Sequence, residues 1–192
     1  GTAAELFDLR PLNLVDFDTS GDPDARVLTN YIFTTSSYRQ NFVAILNHNL
    51  NTAKGKIRVF AGDESTDITA VNGANAEAAD ISTNGWTDLT VTEVVNADAR
   101  TVSADEKSIV VEPATDGTTI FTFTEKNLRY WAIQFEGAHN DASAGAVDGT
   151  FDTSTDLSLG GIMLGEAYSM VHAPDLSVRR SIIYDNVDVV ES

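Results

Sequence analysis

The chain has 192 residues, a formal net charge of −17 at pH 7 and no cysteine. A chain of this length is most economically one domain, and it buries enough surface on folding to need neither disulfides nor a structural metal. The absence of cysteine excludes thiolate metal sites and cysteine nucleophiles. The acidic balance disfavours nucleic acids and anionic membrane surfaces as partners, because both carry negative charge.

Residues 1–26 predict an extended N-terminal arm that precedes the main domain. The first twelve residues are rich in leucine and include Pro11. Proline has no N–H group to offer a central β-ladder, so we expect these residues to form an extended edge segment. The rest of the arm is acidic and rich in turn residues.

The acidic part of the arm contains half of a calcium-binding pattern. Asp16, Asp18 and Ser20 are spaced as in the first half of an EF-hand loop. The twelfth position of that loop would be Val27, where calcium coordination needs a bidentate glutamate. A calcium ion held by these three residues and a solvated loop therefore both remain open, and we expect no other cofactor.

Between residues 27 and 62 the sequence predicts three strands. Residues 27–37 are β-branched and aromatic, and residues 41–50 contain a continuous apolar run, as expected for a strand buried on both faces. Residues 56–62 alternate between two sets of side chains, which predicts a half-exposed partner strand. The linker at 51–55 has the length and composition of a hairpin turn.

The pattern weakens from residue 63 to 107, which predicts a loop insertion over a sandwich, with one helical turn at 75–80 and a short strand at 85–91. Three strands then follow at 108–112, 118–125 and 128–137, at the regular spacing of all-β folds.

The stretch from residue 128 to 168 predicts the closing strands of a β-sandwich, joined by a long surface loop. Trp131, Ile133 and Phe135 share one face of the first strand, as expected for a strand packed on one side. Glycines interrupt the second segment, which indicates a bulge or a close approach of two backbones. Residues 169–192 form a C-terminal extension that either pairs as a terminal strand or reaches a neighbouring subunit.

The sequence contains no nucleophile elbow, no P-loop and no dinucleotide-binding motif, so an enzyme is not expected. We interpret His48, which follows a buried strand, as a hydrogen-bonded structural histidine. Trp86 follows a glycine in a polar region and is either a sugar-stacking platform or a plug that caps the sandwich. The candidate ligand-binding residues are Trp86, Tyr38, His139, Asn140 and Asp141.

Four short motifs occur in a fixed order along the chain. They are L-N-H-N-L at 46–50, K-I-R-V-F at 56–60, R-Y-W-A-I-Q-F at 129–135 and G-x-I-x-x-G at 160–165. This series resembles the galactose-binding-like, or discoidin-like, jelly-roll of tailed-phage virion proteins. Residues 173–180 are also similar to the segment that follows this jelly-roll, so the resemblance covers 27–185.

The resemblance implies an all-β sandwich of jelly-roll type at 27–168 and a non-enzymatic structural protein of the virion, assembled in the host cytoplasm. The expected place is the tail or a tail appendage, and the expected partners are other virion subunits, including further copies of this chain. The alternatives are a module that binds host-surface glycans and a capsid decoration protein. The stretch 63–107 and the loop 139–155 are both longer than the pattern usually has.

Overall fold

The computed structural model describes residues 2–24, 27–32, 38–62, 91–95, 97–105, 108–138 and 149–168. Within these ranges one 3₁₀ helix (Ala3–Phe7) precedes eleven strands, and the all-β prediction is confirmed. The strands are β1 (Val15–Phe17), β2 (Val27–Ile32), β3 (Tyr38–His48), β4 (Gly55–Gly62), β5 (Val91–Val95), β6 (Ala97–Asp105), β7 (Ser108–Pro113), β8 (Gly117–Leu128), β9 (Tyr130–Gly137), β10 (Leu157–Leu159) and β11 (Gly161–Gly165).

The strands form two main antiparallel sheets and one small sheet. The five-stranded sheet has the order β2-β9-β4-β7-β6, the four-stranded sheet has the order β11-β3-β8-β5, and β1 pairs with β10. The pairing is nested along the chain, because β1 pairs with β10, β2 with β9, β3 with β8 and β4 with β7. Only Gly160 separates β10 from β11.

One hydrophobic core takes side chains from both main sheets. Val43 and Phe121 enter it from the four-stranded sheet, and Ile133 and Phe135 enter it from the five-stranded sheet. The ring of Phe123 lies 5.8 Å, centroid to centroid, from that of Trp131, so an aromatic contact also joins the two sheets. The predicted inward face of β9 is therefore confirmed.

The opposite face of β4 and β9 is buried as well, and here the expectation of half-exposed strands is wrong. Lys56 and Arg58 expose only 6% and 5% of their surface, and Phe60 and Gln134 expose none. Alternation along a strand identifies the residues that share a face, but it does not reveal what covers that face.

The predicted hairpin at 51–55 is also wrong, because β3 and β4 belong to different sheets. Leu50 and Ala53 are fully buried in this connection, which crosses the end of the core. The backbone closes tightly, with the Gly55 N–H donating to the Leu50 carbonyl at 2.7 Å and Lys54 at a φ of 53°. Short turns of this composition serve crossovers between sheets as well as hairpins.

The N-terminal segment begins with a 3₁₀ helix where an extended edge segment was expected. The Thr2 N–H donates to a carboxylate oxygen of Glu5 at 2.5 Å, and the Glu5 N–H donates back to the Thr2 carbonyl at 2.9 Å. Thr2-x-x-Glu5 matches the capping-box pattern, which starts helical turns. Leu6 and Val15 are buried in the common core, and β1 pairs with β10.

The three strands expected after residue 107 are confirmed as β7, β8 and β9. Strands β5 and β6 lie inside the region expected to be a loop insertion. The predicted helical turn at 75–80, most of the strand at 85–91 and the tail at 169–192 lie outside the described residues. Among the described residues, no helix is long and apolar enough to cross a membrane.

Candidate functional site

His48 lies at the end of β3 and is buried, as predicted for a structural histidine. The Leu50 N–H donates to its Nδ1 at 3.2 Å, so Nε2 carries the proton and donates to the Thr119 hydroxyl at 2.8 Å. Burial lowers the pKa of His48 to about 4, although the charge of Asp116 opposes this shift. The ring is therefore neutral at pH 7 and joins β3 to β8, so the structural interpretation is confirmed.

The three calcium candidates face different partners. Asp16 accepts a hydrogen bond from the Ser158 hydroxyl at 2.5 Å, and Asp18 accepts one from the Gly21 N–H at 3.1 Å. The Ser20 N–H donates to Asp156 at 3.0 Å. The described residues contain no group of three or more histidine or carboxylate side chains that could hold a metal. Calcium binding at these positions stays a prediction.

Three aspartates, Asp116, Asp152 and Asp156, accept hydrogen bonds that hold neighbouring loops in place. Asp116 accepts the Thr52 N–H at 3.0 Å and also the Thr52 hydroxyl. Hydrogen bonds from Ser154, and then one from Lys54, lower the pKa of Asp152, and hydrogen bonds from Ser20 lower that of Asp156. A carboxylate that accepts such bonds stays ionised and holds a loop in place, which is the opposite of a general acid near neutral pH.

Four of the five ligand-binding candidates, Trp86, His139, Asn140 and Asp141, lie outside the described residues. The fifth, Tyr38, begins β3 opposite Leu128. Ligand binding at these positions stays a prediction.

A small pocket of about 210 Å³ opens beside the β3–β4 connection. Apolar and polar residues both line it, and the ammonium of Lys54, one of the lining residues, already pairs with Asp152 at 2.9 Å. The lining residues are Leu50, Asn51, Lys54, Gly55, Glu112, Pro113 and Ala138. None of them is aromatic, so this pocket offers no stacking platform for a sugar ring.

A buried ionic cluster, which the sequence alone did not predict, lies on the outer face of β4 and β9. Glu136 accepts hydrogen bonds from Arg58 Nε at 2.7 Å and from Gln134 Nε2 at 2.8 Å, and Lys56 Nζ lies 3.4 Å from the same carboxylate. Lys56 stands directly opposite Glu136, and Arg58 stands opposite Gln134. The sequence contains the two halves of this cluster as K-x-R at 56–58 and Q-x-E at 134–136. Their proximity can be inferred only once the two strands are known to pair.

Within the described residues, a cluster of exposed apolar side chains lies on the N-terminal ridge, which we define as residues 7–14. Four large apolar side chains of this ridge are exposed: Phe7 at 44%, Leu9 at 73%, Leu12 at 87% and Leu14 at 41%. The 3₁₀ helix before the ridge packs against β11, which carries the exposed Met163. The sequence predicts an edge segment here, but it carries no signal that these side chains face solvent.

The outer face of the four-stranded sheet is also apolar. Phe42, Leu46 and Ile120 are half-buried there, beside the buried Ala44 and the exposed Met163. An antiparallel sheet with one face in water normally presents polar side chains on that face. Apolar surface that is exposed to solvent usually marks an interaction site.

No protein-family model, curated protein sequence or solved structure matches the chain.

Proposed function

We propose that this protein is a non-enzymatic structural subunit of a virion, in the tail or a tail appendage, that assembles through contacts between subunits. The observation that carries the proposal is the N-terminal ridge, which exposes four large apolar side chains in a strongly acidic chain. Isolated exposed leucines are ordinary on protein surfaces, but an apolar group of this kind is typical of an interaction site.

The nested strand pairing supports a jelly-roll for this subunit. A jelly-roll folds eight strands into two packed sheets through two Greek keys, so that early strands pair with late ones. Taking β10 and β11 as two parts of one strand, the pairs β1–β10, β2–β9, β3–β8 and β4–β7 give such an arrangement. Strands β5 and β6 then extend one edge of each sheet.

The chemistry of the described residues supports a role without catalysis. Burial keeps His48 neutral, and its two ring nitrogens make hydrogen bonds inside the core. The loop carboxylates Asp116, Asp152 and Asp156 accept bonds that hold loops in place. Groups engaged in this way stabilise the fold and are poorly placed to exchange protons with a substrate.

Light scattering of the purified protein at moderate salt tests the proposal. We expect a mass of more than one chain, because a virion subunit uses repeated contacts and each copy adds effective concentration for the next. A monomer at every accessible protein concentration would contradict an assembly role.

A glycan-binding module is the second candidate. The small pocket beside the β3–β4 connection has no aromatic lining residue, so this candidate depends on Trp86, the stacking residue that the sequence predicts. A monomeric protein that binds defined sugars on a glycan array would support this candidate. The variant Trp86→Ala then tests whether the predicted stacking residue contributes to sugar binding, because a sugar cannot stack once the aromatic ring is removed.

A further inference from the structure

We infer that the N-terminal ridge is the docking surface for a second copy of this chain, with ridge packed against ridge around a two-fold axis. This inference rests on the proposed assembly role and names the surface and the partner for it. A two-fold contact uses the same patch on both copies, and it is the commonest symmetry of soluble oligomers.

The ridge is fixed to the body of the protein before any partner arrives. The Pro11 carbonyl accepts a hydrogen bond from the Asn47 side chain at 2.8 Å. It also packs so closely on Gly160 that a Cβ there would lie 2.1 Å from the oxygen. Asp8 closes the ridge internally by accepting the Arg10 N–H at 2.7 Å. A surface held in this way loses little conformational entropy when it binds.

Leu9 has a strained backbone conformation, and its side chain gains little burial within the single chain. Its φ of 60° lies in the left-handed region, which L-residues with a Cβ adopt only reluctantly. Its side chain nevertheless remains 73% exposed. Backbone strain of this kind persists where function needs the residue, and burial of the leucine against another chain would supply the missing stabilisation.

Leu12 is presented in a similar manner by the next turn. The Asn13 N–H donates to the Arg10 carbonyl at 2.9 Å, which closes a four-residue turn with Pro11 in its second position. Proline favours that position because its φ is already fixed. Leu12 follows it at the tip of the turn and is 87% exposed.

The charge distribution favours a second copy as the occupant. The whole chain carries a net charge of −17, but residues 7–14 contain one aspartate and one arginine and are locally neutral. Two ridges can therefore meet without bringing like charges into the contact. Arg10 is exposed and forms no ion pair with a described carboxylate, and we expect a two-fold contact to place it near Asp8 of the other copy.

The test compares self-association of the native protein with that of the double variant Leu9→Gly/Leu12→Ser by sedimentation over a range of protein concentrations. Glycine relieves the left-handed strain at position 9, so the variant should keep its fold, which circular dichroism checks. We expect its dissociation constant to rise at least about tenfold, because the two side chains form the centre of the contact.

Tyr168→Ser is the matched control, because Tyr168 is 81% exposed but follows the far end of β11. It should associate like the native protein. Arg10→Glu provides a second probe that does not depend on removing apolar surface, and it should weaken association by placing like charges in the contact.

If the native protein associates and neither ridge variant weakens it, the docking inference is wrong while the assembly proposal stands. If the native protein is monomeric throughout, the assembly proposal fails and the inference fails with it.

Discussion

At the scale of single residues, His48 makes the stability of the protein depend on pH. Burial lowers the pKa of the folded-state imidazole to about 4, whereas the unfolded chain titrates near 6.5. The unfolded state therefore binds the proton more tightly. Stability is fully present above about pH 6.5 and is lost as the pH falls towards 4, by up to about 3 kcal/mol.

Urea unfolding measured at several pH values between these limits checks this prediction. In the variant His48→Gln the difference between pH 7 and pH 4 should shrink by most of that amount, although the variant itself starts from lower stability because it loses two buried hydrogen bonds. An unchanged pH dependence in the variant would assign the effect to the carboxylates instead.

Gly160 permits the closest approach between the N-terminal ridge and the sheet. A Cβ at this position would lie 2.1 Å from the Pro11 carbonyl oxygen, so Gly160→Ala must displace the ridge or β10. We expect a loss of about 1–3 kcal/mol of unfolding free energy, as is typical when atoms are forced into packed space.

Gly161→Ala is the control for this prediction, because the nearest atom to a Cβ there is the Leu6 carbonyl oxygen at 3.7 Å. That is an ordinary van der Waals contact, so the change should be small. Equal thermal midpoints for the two variants would show that the close approach at Gly160 does not matter for stability.

At the scale of elements, the buried ionic cluster should contribute far more to the free energy of unfolding than an exposed ion pair does. Glu136→Gln removes the carboxylate that Arg58 and Lys56 share. The side chains of Glu136 and Arg58 are each only 6% exposed. Breaking a buried pair in this way typically costs about 3–5 kcal/mol. Glu125→Gln makes the same chemical change at an exposed pair with Arg39, and it should cost less than about 1 kcal/mol.

Chemical denaturation of the two glutamine variants measures this contrast directly. Similar losses in both would mean that the cluster is well solvated in solution. A larger loss at Glu136 would support the view that the outer face of β4 and β9 is part of the interior.

The sequence predicted best those elements whose signals are local. Strands β7, β8 and β9 lie close to their expected positions, because strand spacing and period-two alternation are local signals that can be read over a few residues. The crossover at 51–55 could not be distinguished from a hairpin, since both use the same turn chemistry and differ only in the sheet that the next strand joins.

The candidate surface was partly visible in the sequence. Pro11 indicated a break near the ridge, but leucine is normally a core residue, so composition gives no reason to expect Leu9 and Leu12 at the surface. The capping-box pattern of Thr2 and Glu5 was present and would have predicted the helical turn. The left-handed backbone of Leu9 has no sequence signal, because that conformation favours glycine and asparagine.

At the scale of the whole molecule, the net charge of −17 opposes every contact between copies. Repulsion between two such chains is screened by salt, with a Debye length of about 10 Å at 0.1 M and about 3 Å at 1 M. The ridge is locally neutral and apolar, so a contact through it avoids bringing further like charges together. Salt should therefore strengthen self-association.

We expect the dissociation constant of the native protein to fall by about three- to tenfold as sodium chloride rises from about 0.05 M to about 0.5 M. Light scattering across this series measures the effect, with Leu9→Gly/Leu12→Ser as the comparison. A contact held mainly by ion pairs would weaken over the same series, because salt screens attraction as well as repulsion. The sign of the salt effect therefore distinguishes two kinds of contact. Stronger association in salt indicates an apolar contact between locally neutral ridges. Weaker association indicates a contact that depends on ion pairs between Arg10 and acidic residues elsewhere on the second copy.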